Sequence, residues 1–182
     1  MANFLDLRNR LKDLFGESQR AEVFERLNLA RTAGHLPPAR SRGDRQRADL
    51  TSLDCAVAIL ALVSSDRGYE AGKQLNQLRA LTAAEDGSPR LDEFLAGFIE
   101  ERRKTWPDTD RDYDKKLTIL VWTSPLPIAA TCNFRAAGLS ATTLFGESEL
   151  IGKPLLGTGR LISGEILGAV ADLLGPIEDA TG

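Results

Sequence analysis

The stretch LTSLDCAVAILALVSS, residues 50–65, decides how the amino-terminal half of the chain packs. Thr51 can cap a helix, and Asp54 three residues later can bond back to the cap, which is the pattern of a capping box. Residues 55–63 are all apolar, so this helix has almost no polar face to turn toward water. Because a helix that is apolar all round is buried, we predict that it lies at the centre of a helical bundle.

Two helices are predicted before this central helix. Residues 4–15 carry their apolar side chains largely on one helical stripe, and Gly16 ends the pattern. Residues 18–33 repeat the helical spacing, with Ser18 as the cap and Gly34 as the stop. The chain therefore begins with a pair of amphipathic helices.

Two more helices are predicted after the central one. Residues 68–81 form a shorter helix. Ser88 and Pro89 start the next, since proline is favoured at the first helical position, and its basic tail, residues 102–104, suits the negative end of the helix dipole. Dipole compensation is the favoured role of this tail, with phosphate contact as the alternative.

Beyond residue 115 the sequence period changes from helix to strand. Residues 116–124 and 128–134 are rich in β-branched and aromatic residues and flank a Pro-Leu-Pro reversal, and residues 141–145 supply a third strand. The segment RLISGEILGAVADLLGP, residues 160–176, predicts a last helix that starts with Leu161 and Ile162 on its apolar face and ends at Gly175.

The predicted fold class is α+β: a helix-turn-helix-like bundle over residues 1–105, then a small antiparallel sheet packed by a carboxy-terminal helix over residues 115–182. In the first strand Leu120 and Trp122 alternate with Leu117, Ile119 and Val121. Both faces are therefore apolar, and the second is covered either within the chain or by another copy. We expect a homodimer formed through the carboxy-terminal half.

Charge is distributed unevenly along the chain. The formal net charge is −3, yet residues 1–48 hold ten Lys and Arg against six Asp and Glu. The amino-terminal quarter is thus basic and the rest of the chain acidic. This asymmetry is typical of a protein that contacts nucleic acid at one end.

The arginines concentrate in the segment GHLPPARSRGDRQRADLTSL, residues 34–53, which the sequence predicts to be a loop. Clustered positive charge repels itself unless an anion is bound. We take five arginines as candidate nucleic-acid-binding residues: Arg31, Arg40, Arg42, Arg45 and Arg47. A solvated loop and a contact with an acidic protein remain as alternatives.

No catalytic or metal-binding pattern is present, so we predict neither an enzyme nor a cofactor. The single histidine, His35, has no patterned nucleophile beside it, and two distant cysteines, Cys55 and Cys132, provide no zinc spacing. Both cysteines are expected to be reduced core residues.

Two other stretches superficially resemble ligand-binding motifs. GESELIGKP, residues 146–154, has five residues between its glycines where a phosphate-binding loop has four, and Pro154 stands where that loop has Ser or Thr. The alternating aspartates of residues 108–114 lack the glycine and glutamate of a calcium loop. No apolar run reaches the roughly 20 residues of a membrane span, so a cytoplasmic protein without a membrane partner is expected.

Two stretches resemble a known group of proteins. The order LARTAGHLPPARSRG, residues 29–43, then residues 50–65, is similar to a group of small proteobacterial proteins encoded in prophages and related mobile elements, in which the amino-terminal part resembles a helix-turn-helix domain. The stretch TILVWTSPLPIAATCNF, residues 118–134, resembles the later part of that group. The resemblance implies a phage-type DNA-binding regulator and transfers no catalytic residue.

The sequence thus predicts a dimeric transcriptional regulator that contacts double-stranded DNA through the arginine-rich loop. Two alternatives stay open. One is a DNA-packaging component resembling a small terminase subunit. The other is an adaptor without DNA affinity that binds a protein partner.

Overall fold

The computed structural model describes residues 2–37, 49–64, 68–105, 117–124, 129–136, 139–146 and 158–177. Within these ranges the helices are α1 (Phe4–Phe15), α2 (Arg20–Thr32), α3 (Ser52–Val63), α4 (Gly68–Ala80), α5 (Leu91–Lys104) and α6 (Gly164–Leu174). The strands are β1 (Leu117–Ser124), β2 (Ala129–Ala136), β3 (Leu139–Phe145) and β4 (Thr158–Ser163). The predicted α+β class is confirmed, whereas the helix-turn-helix character of the bundle stays a prediction.

Helix α3 is the central element of the fold. The Asp54 N–H donates to Thr51 Oγ1 at 3.0 Å and the Thr51 N–H donates to Asp54 Oδ2 at 2.9 Å, which confirms the capping box. Every residue from Cys55 to Val63 is buried. Helix α3 contacts α2, α4, α5, α6 and β4, so it is central to both halves of the chain.

Three predicted helix starts are wrong, two of them in the amino-terminal half. Helix α2 begins at Arg20, because Ser18 lies in a short 3₁₀ turn, Glu17–Gln19. Helix α5 begins at Leu91, so Pro89 precedes the helix. The Ala83 N–H donates to the Pro89 carbonyl at 3.1 Å and the Leu91 N–H to the Leu81 carbonyl at 2.8 Å, and this strand-like pairing keeps the chain extended up to Arg90.

The sheet is antiparallel throughout, with strand order β3-β2-β1-β4. Strand β4 corrects the predicted start of the last helix. Leu161 and Ile162 pair with Leu120 and Ile119 of β1, and the helix begins only at Gly164. These two residues fit a helix and a strand equally well, and pairing with a strand distant in sequence decides between them.

The inner face of the sheet is only partly covered by α6. Leu117, Ile119 and Val121 of β1 are buried, and α6 packs on β1 and β4. Strands β2 and β3 face α5, where the Phe94 and Phe145 rings lie 5.2 Å apart. One buried cluster extends from Leu7 to Ala171, so residues of both predicted domains share a core. The domain boundary itself stays a prediction.

No helix in the described ranges combines the length and the apolar character that crossing a membrane requires.

Candidate nucleic-acid interface

Helices α1 and α2 hold a row of cations against the exposed Phe24 ring and the partly buried Phe4 ring. On α1, Phe4, Arg8 and Lys12 are spaced by four residues and so share one helical face. The Arg8 guanidinium lies 5.3 Å from the centre of the Phe24 ring on α2, and Lys12 Nζ lies 5.5 Å from it. At the other end of the helix pair, the Arg31 guanidinium lies 5.5 Å from the centre of the Phe4 ring.

We call this row the basic seam and define it as Arg8, Lys12, Arg20 and Arg31 with Phe4 and Phe24. Its cations contact an aromatic ring, an exposed carboxylate or a side-chain amide. Arg20 is 3.7 Å from Asp13 with both side chains exposed, and the Phe24 side chain is 43% exposed. Exposed cation–π contacts contribute little free energy, so Lys12 can turn from the Phe24 ring toward a phosphate at small cost.

Of the five predicted binding residues, the structure places Arg31 alone. Its Nη2 donates to Asn28 Oδ1 at 2.9 Å, and its guanidinium lies over the Phe4 ring as described above. The other four, Arg40, Arg42, Arg45 and Arg47, lie outside the described residues. Their contact with nucleic acid therefore stays a prediction.

The described ends of the arginine-rich segment are anchored beside the seam. The His35 N–H donates to the Ala30 carbonyl at 2.9 Å, and the Leu50 N–H donates to the Ala2 carbonyl at 3.3 Å. Leu36 and Leu50 are both buried. The chain thus leaves the described structure at the end of α2 and returns beside the start of α1, where Arg31 meets Phe4.

A polar cluster ties the first of these ends to α4 and α5. Arg79 Nε donates to Asp92 Oδ2 at 2.9 Å, and Asp92 is completely buried. Arg90 Nε lies 3.3 Å from the other Asp92 oxygen. Arg79 Nη1 lies 3.2 Å from His35 Nδ1. Because a guanidinium only donates, Nδ1 must accept, so the imidazole is neutral with its proton on Nε2.

Burial lowers the pKa of His35 below its usual 6.5, and the positive charge of Arg79 lowers it further. Both effects disfavour a second proton on the ring. His35 therefore accepts a hydrogen bond as a neutral ring and secures the end of α2. Its Nδ1 already contacts Arg79, so this nitrogen is not available to accept a proton from a nucleophile.

The predicted basic tail of α5 has a structural role. Arg103 Nε donates to the Gly175 carbonyl at 2.8 Å, and Arg102 lies 3.8 Å from Asp172 of α6. Their charges thus lie near the carboxy-terminal ends of two helices and join α5 to α6. Lys104 pairs with Glu101 at the exposed surface.

Sequence reasoning missed Arg8 and Lys12 as individual candidates and counted them only in the net charge. The spacing Phe4-Arg8-Lys12 was a usable signal, because residues four apart lie on one helical face. That Phe24 of the next helix lies under both cations was not visible in the sequence, since it depends on how α1 and α2 pack.

The other reactive groups among the described residues are two cysteines. Cys55 and Cys132 are free and buried, as predicted, and burial raises the pKa of Cys55 to about 12 and that of Cys132 to about 11. The described residues contain no group of three His, Cys, Asp or Glu side chains able to hold a metal ion. The aspartates of 108–114 and residues 147–154 of the glycine-containing stretch lie outside the described residues.

No protein-family model, no curated protein and no solved structure matches this chain. The resemblance to prophage-encoded proteins stays a prediction.

Proposed function

We propose that the protein is a DNA-binding transcriptional regulator of phage or mobile-element type. It holds the DNA backbone with the basic seam and the arginine-rich segment together. The observation that carries the proposal is their juxtaposition: both described ends of the segment lie where Arg31 meets Phe4, at one end of the seam. The sequence between these two ends carries four arginines within residues 40–47.

The chemistry of the seam suits phosphate contact better than protein anchoring. Arg8 and Lys12 lie over the exposed Phe24 ring, whereas Arg26, Arg79 and Arg103 elsewhere in the chain bond to carbonyls or to a buried carboxylate. Phosphate binding by Lys and Arg releases counterions, so the affinity should fall steeply with salt.

The test is a salt-titrated binding assay of the full chain against DNA from upstream of its own gene and against a random fragment. Replacing Arg42 and Arg45 by Ala should weaken binding and reduce the slope of log K against log salt by about 2. Lys104→Ala is the matched control, since it removes one exposed cation outside the seam. Unchanged affinity in the double variant, with an intact fold, would overturn the role of the segment.

We further propose that a second copy covers the outer face of the sheet. Leu161 on β4 is 60% exposed and pairs with Leu120 of β1 on that face. Trp122 lies two residues along the same face. An exposed leucine beside a tryptophan on one face of a sheet is typical of a surface that a partner completes.

Light scattering of the full chain and of Leu161→Lys tests the dimer. We expect the mass of a dimer for the natural chain and of a monomer for the variant, because a charge in an apolar interface is costly to bury. A ring of many copies would instead favour the DNA-packaging alternative. A monomer without DNA affinity at physiological salt would favour the adaptor.

A further inference from the structure

An open cleft lies between α5 and the inner face of strands β2 and β3. Its volume is about 470 Å³, which lies within the range of small-molecule sites. The walls are mainly apolar: Phe94 and Phe98 of α5 face Leu117, Cys132 and Phe134 of the sheet. The cleft exists because α6 covers β1 and β4, leaving the β2–β3 half to α5.

Gly97 lies in the middle of α5 and lines the cleft. A glycine inside a helix is less stable than an alanine because it loses more backbone freedom on folding. A Cβ added at Gly97 would meet no atom within 4 Å, so packing against the described residues does not require a glycine. The missing side chain instead leaves room in the cleft next to the aromatic wall.

Two carboxylates flank this opening. Glu93 and Glu101 lie four residues before and after Gly97, so all three occupy one face of α5 and line the cleft. No lysine, arginine or histidine is among the described residues that line it. Anionic ligands such as phosphates and carboxylic acids are therefore disfavoured.

The cations near Glu101 are held in different ways. Arg102 and Arg103 bond to the end of α6, as described above. Lys104 reaches Glu101 Oε1 at 2.9 Å, but both side chains are more than half exposed. Such surface pairs exchange easily, so a ligand ammonium can replace Lys104 at the carboxylate. Glu93 is engaged more closely, since it accepts from the Arg90 N–H at 3.1 Å and pairs with the Arg90 guanidinium.

We propose that this cleft binds a small amphipathic organic cation. An aromatic or branched apolar body occupies the space beside Gly97, between the phenylalanines of α5 and strand β2, and the ammonium group binds Glu101. The apolar walls supply the affinity, and the carboxylate distinguishes the cation from a neutral ligand of the same shape. The proposal is independent of DNA binding.

The experiment is a calorimetric and ¹H–¹⁵N NMR titration of the full chain with 4-phenylbutylamine. The matched probes are the neutral 4-phenylbutanol and the anionic 4-phenylbutyrate. We expect saturable binding of the amine with shifts of the Gly97 amide, about threefold tighter than the alcohol because Glu101 is exposed, and no binding of the butyrate. Equal affinities for all three probes would overturn the cation assignment, and no saturable binding of the amine would overturn the site.

Four variants locate the ligand. Glu101→Gln should lower the affinity for the amine about threefold and leave that for the alcohol unchanged. Glu100→Gln, an exposed acid outside the cleft lining, should change neither. Gly97→Leu should abolish binding of both probes by filling the cleft. Gly97→Ala, which adds a single methyl group at a position with open space, checks that the helix tolerates substitution. Full binding by folded Gly97→Leu would overturn the location.

Discussion

The two sets of cations in this protein differ in what they contact. In the basic seam, Arg8 and Lys12 lie over an exposed phenylalanine ring on the surface of α1 and α2. Around α5, Arg79 bonds to the buried Asp92 and Arg103 bonds to the last carbonyl of the α6 cap. Arginine frequency alone therefore says little about function, because the partner of each guanidinium decides whether it stabilises the fold or is available to a ligand.

Removing Asp92 should have the largest effect on stability. Asp92→Ala leaves Arg79 and Arg90 without their shared buried carboxylate and also removes the contact that orients His35 through Arg79. We expect a loss of about 2 to 3 kcal/mol in the free energy of unfolding, because the variant breaks the charge-assisted hydrogen bond between Arg79 and Asp92. Urea denaturation measures it.

Glu100→Ala, an exposed acid on the same helix, is the control for Asp92→Ala and should leave the urea midpoint unchanged. If Asp92→Ala has the same urea midpoint as the natural chain, the cluster around α5 contributes no more to stability than the seam does.

Adjacent residues of the α5 tail allow a matched pair of variants. Arg103→Ala should lower the free energy of unfolding by about 1 to 2 kcal/mol, since it breaks the charged hydrogen bond to the Gly175 carbonyl and the contact with Ser52. Lys104→Ala, one residue later at the surface, should cause no measurable change. Thermal or urea unfolding of the two variants measures this difference in stability. Equal stabilities would contradict the structural role of Arg103.

The double variant Arg8→Ala, Lys12→Ala should change stability by about 1 kcal/mol or less, since it removes two cation–π contacts over one ring. Its effect should appear in DNA binding instead. We expect the slope of log K against log salt to fall by about 2, one for each lost phosphate contact. If the double variant is strongly destabilised and its DNA affinity is unchanged, the cations of the seam stabilise the fold and do not contact DNA.

The smallest effect concerns pH. The folded protein lowers the pKa of His35, so between the folded value and 6.5 the unfolded chain binds more protons than the folded chain. The contribution of His35 is therefore fully present above about pH 6.5 and is lost as the pH falls through the folded pKa. The effect is small because the ring is only partly buried.

Denaturant midpoints between pH 7.5 and 5.5 measure this loss. His35→Asn, whose side-chain oxygen can accept from Arg79 without titrating, should show a flatter profile. A steeper profile in the variant would contradict the assigned acceptor role.

The local features of the fold were predictable because they depend on neighbouring residues. The Thr51–Asp54 capping box, the burial of α3 and the stop at Gly16 follow from hydrogen bonding, apolar composition and a positive φ within a few residues. The start of α5 was mispredicted because backbone bonds between Leu81–Ala83 and Pro89–Leu91 override the preference of proline for the first helical turn.

The candidate sites were predictable only in part. Arg31 and the charge asymmetry were identified from the sequence, and the placement of Arg31 over Phe4 at the anchored ends of the arginine-rich segment comes from packing. The cleft beside Gly97 was not predicted, because its two walls come from α5 and from strands β2 and β3. Glu93, Gly97 and Glu101 on the exposed face of α5 do not indicate a cleft in the sequence, because the opposite wall comes from the sheet.

The sequence by itself determined the α+β class, the central helix and the concentration of positive charge near the amino terminus. Periodicity, capping and composition act over one or two helical turns and so can be read along the chain. Only the tertiary structure decided that Leu161 and Ile162 join β1 as a fourth strand and which arginines are bound to carbonyls. It also decided that α5 leaves an open cleft over half of the sheet. These outcomes depend on contacts between residues far apart in the chain, whose free energies are settled by the whole fold.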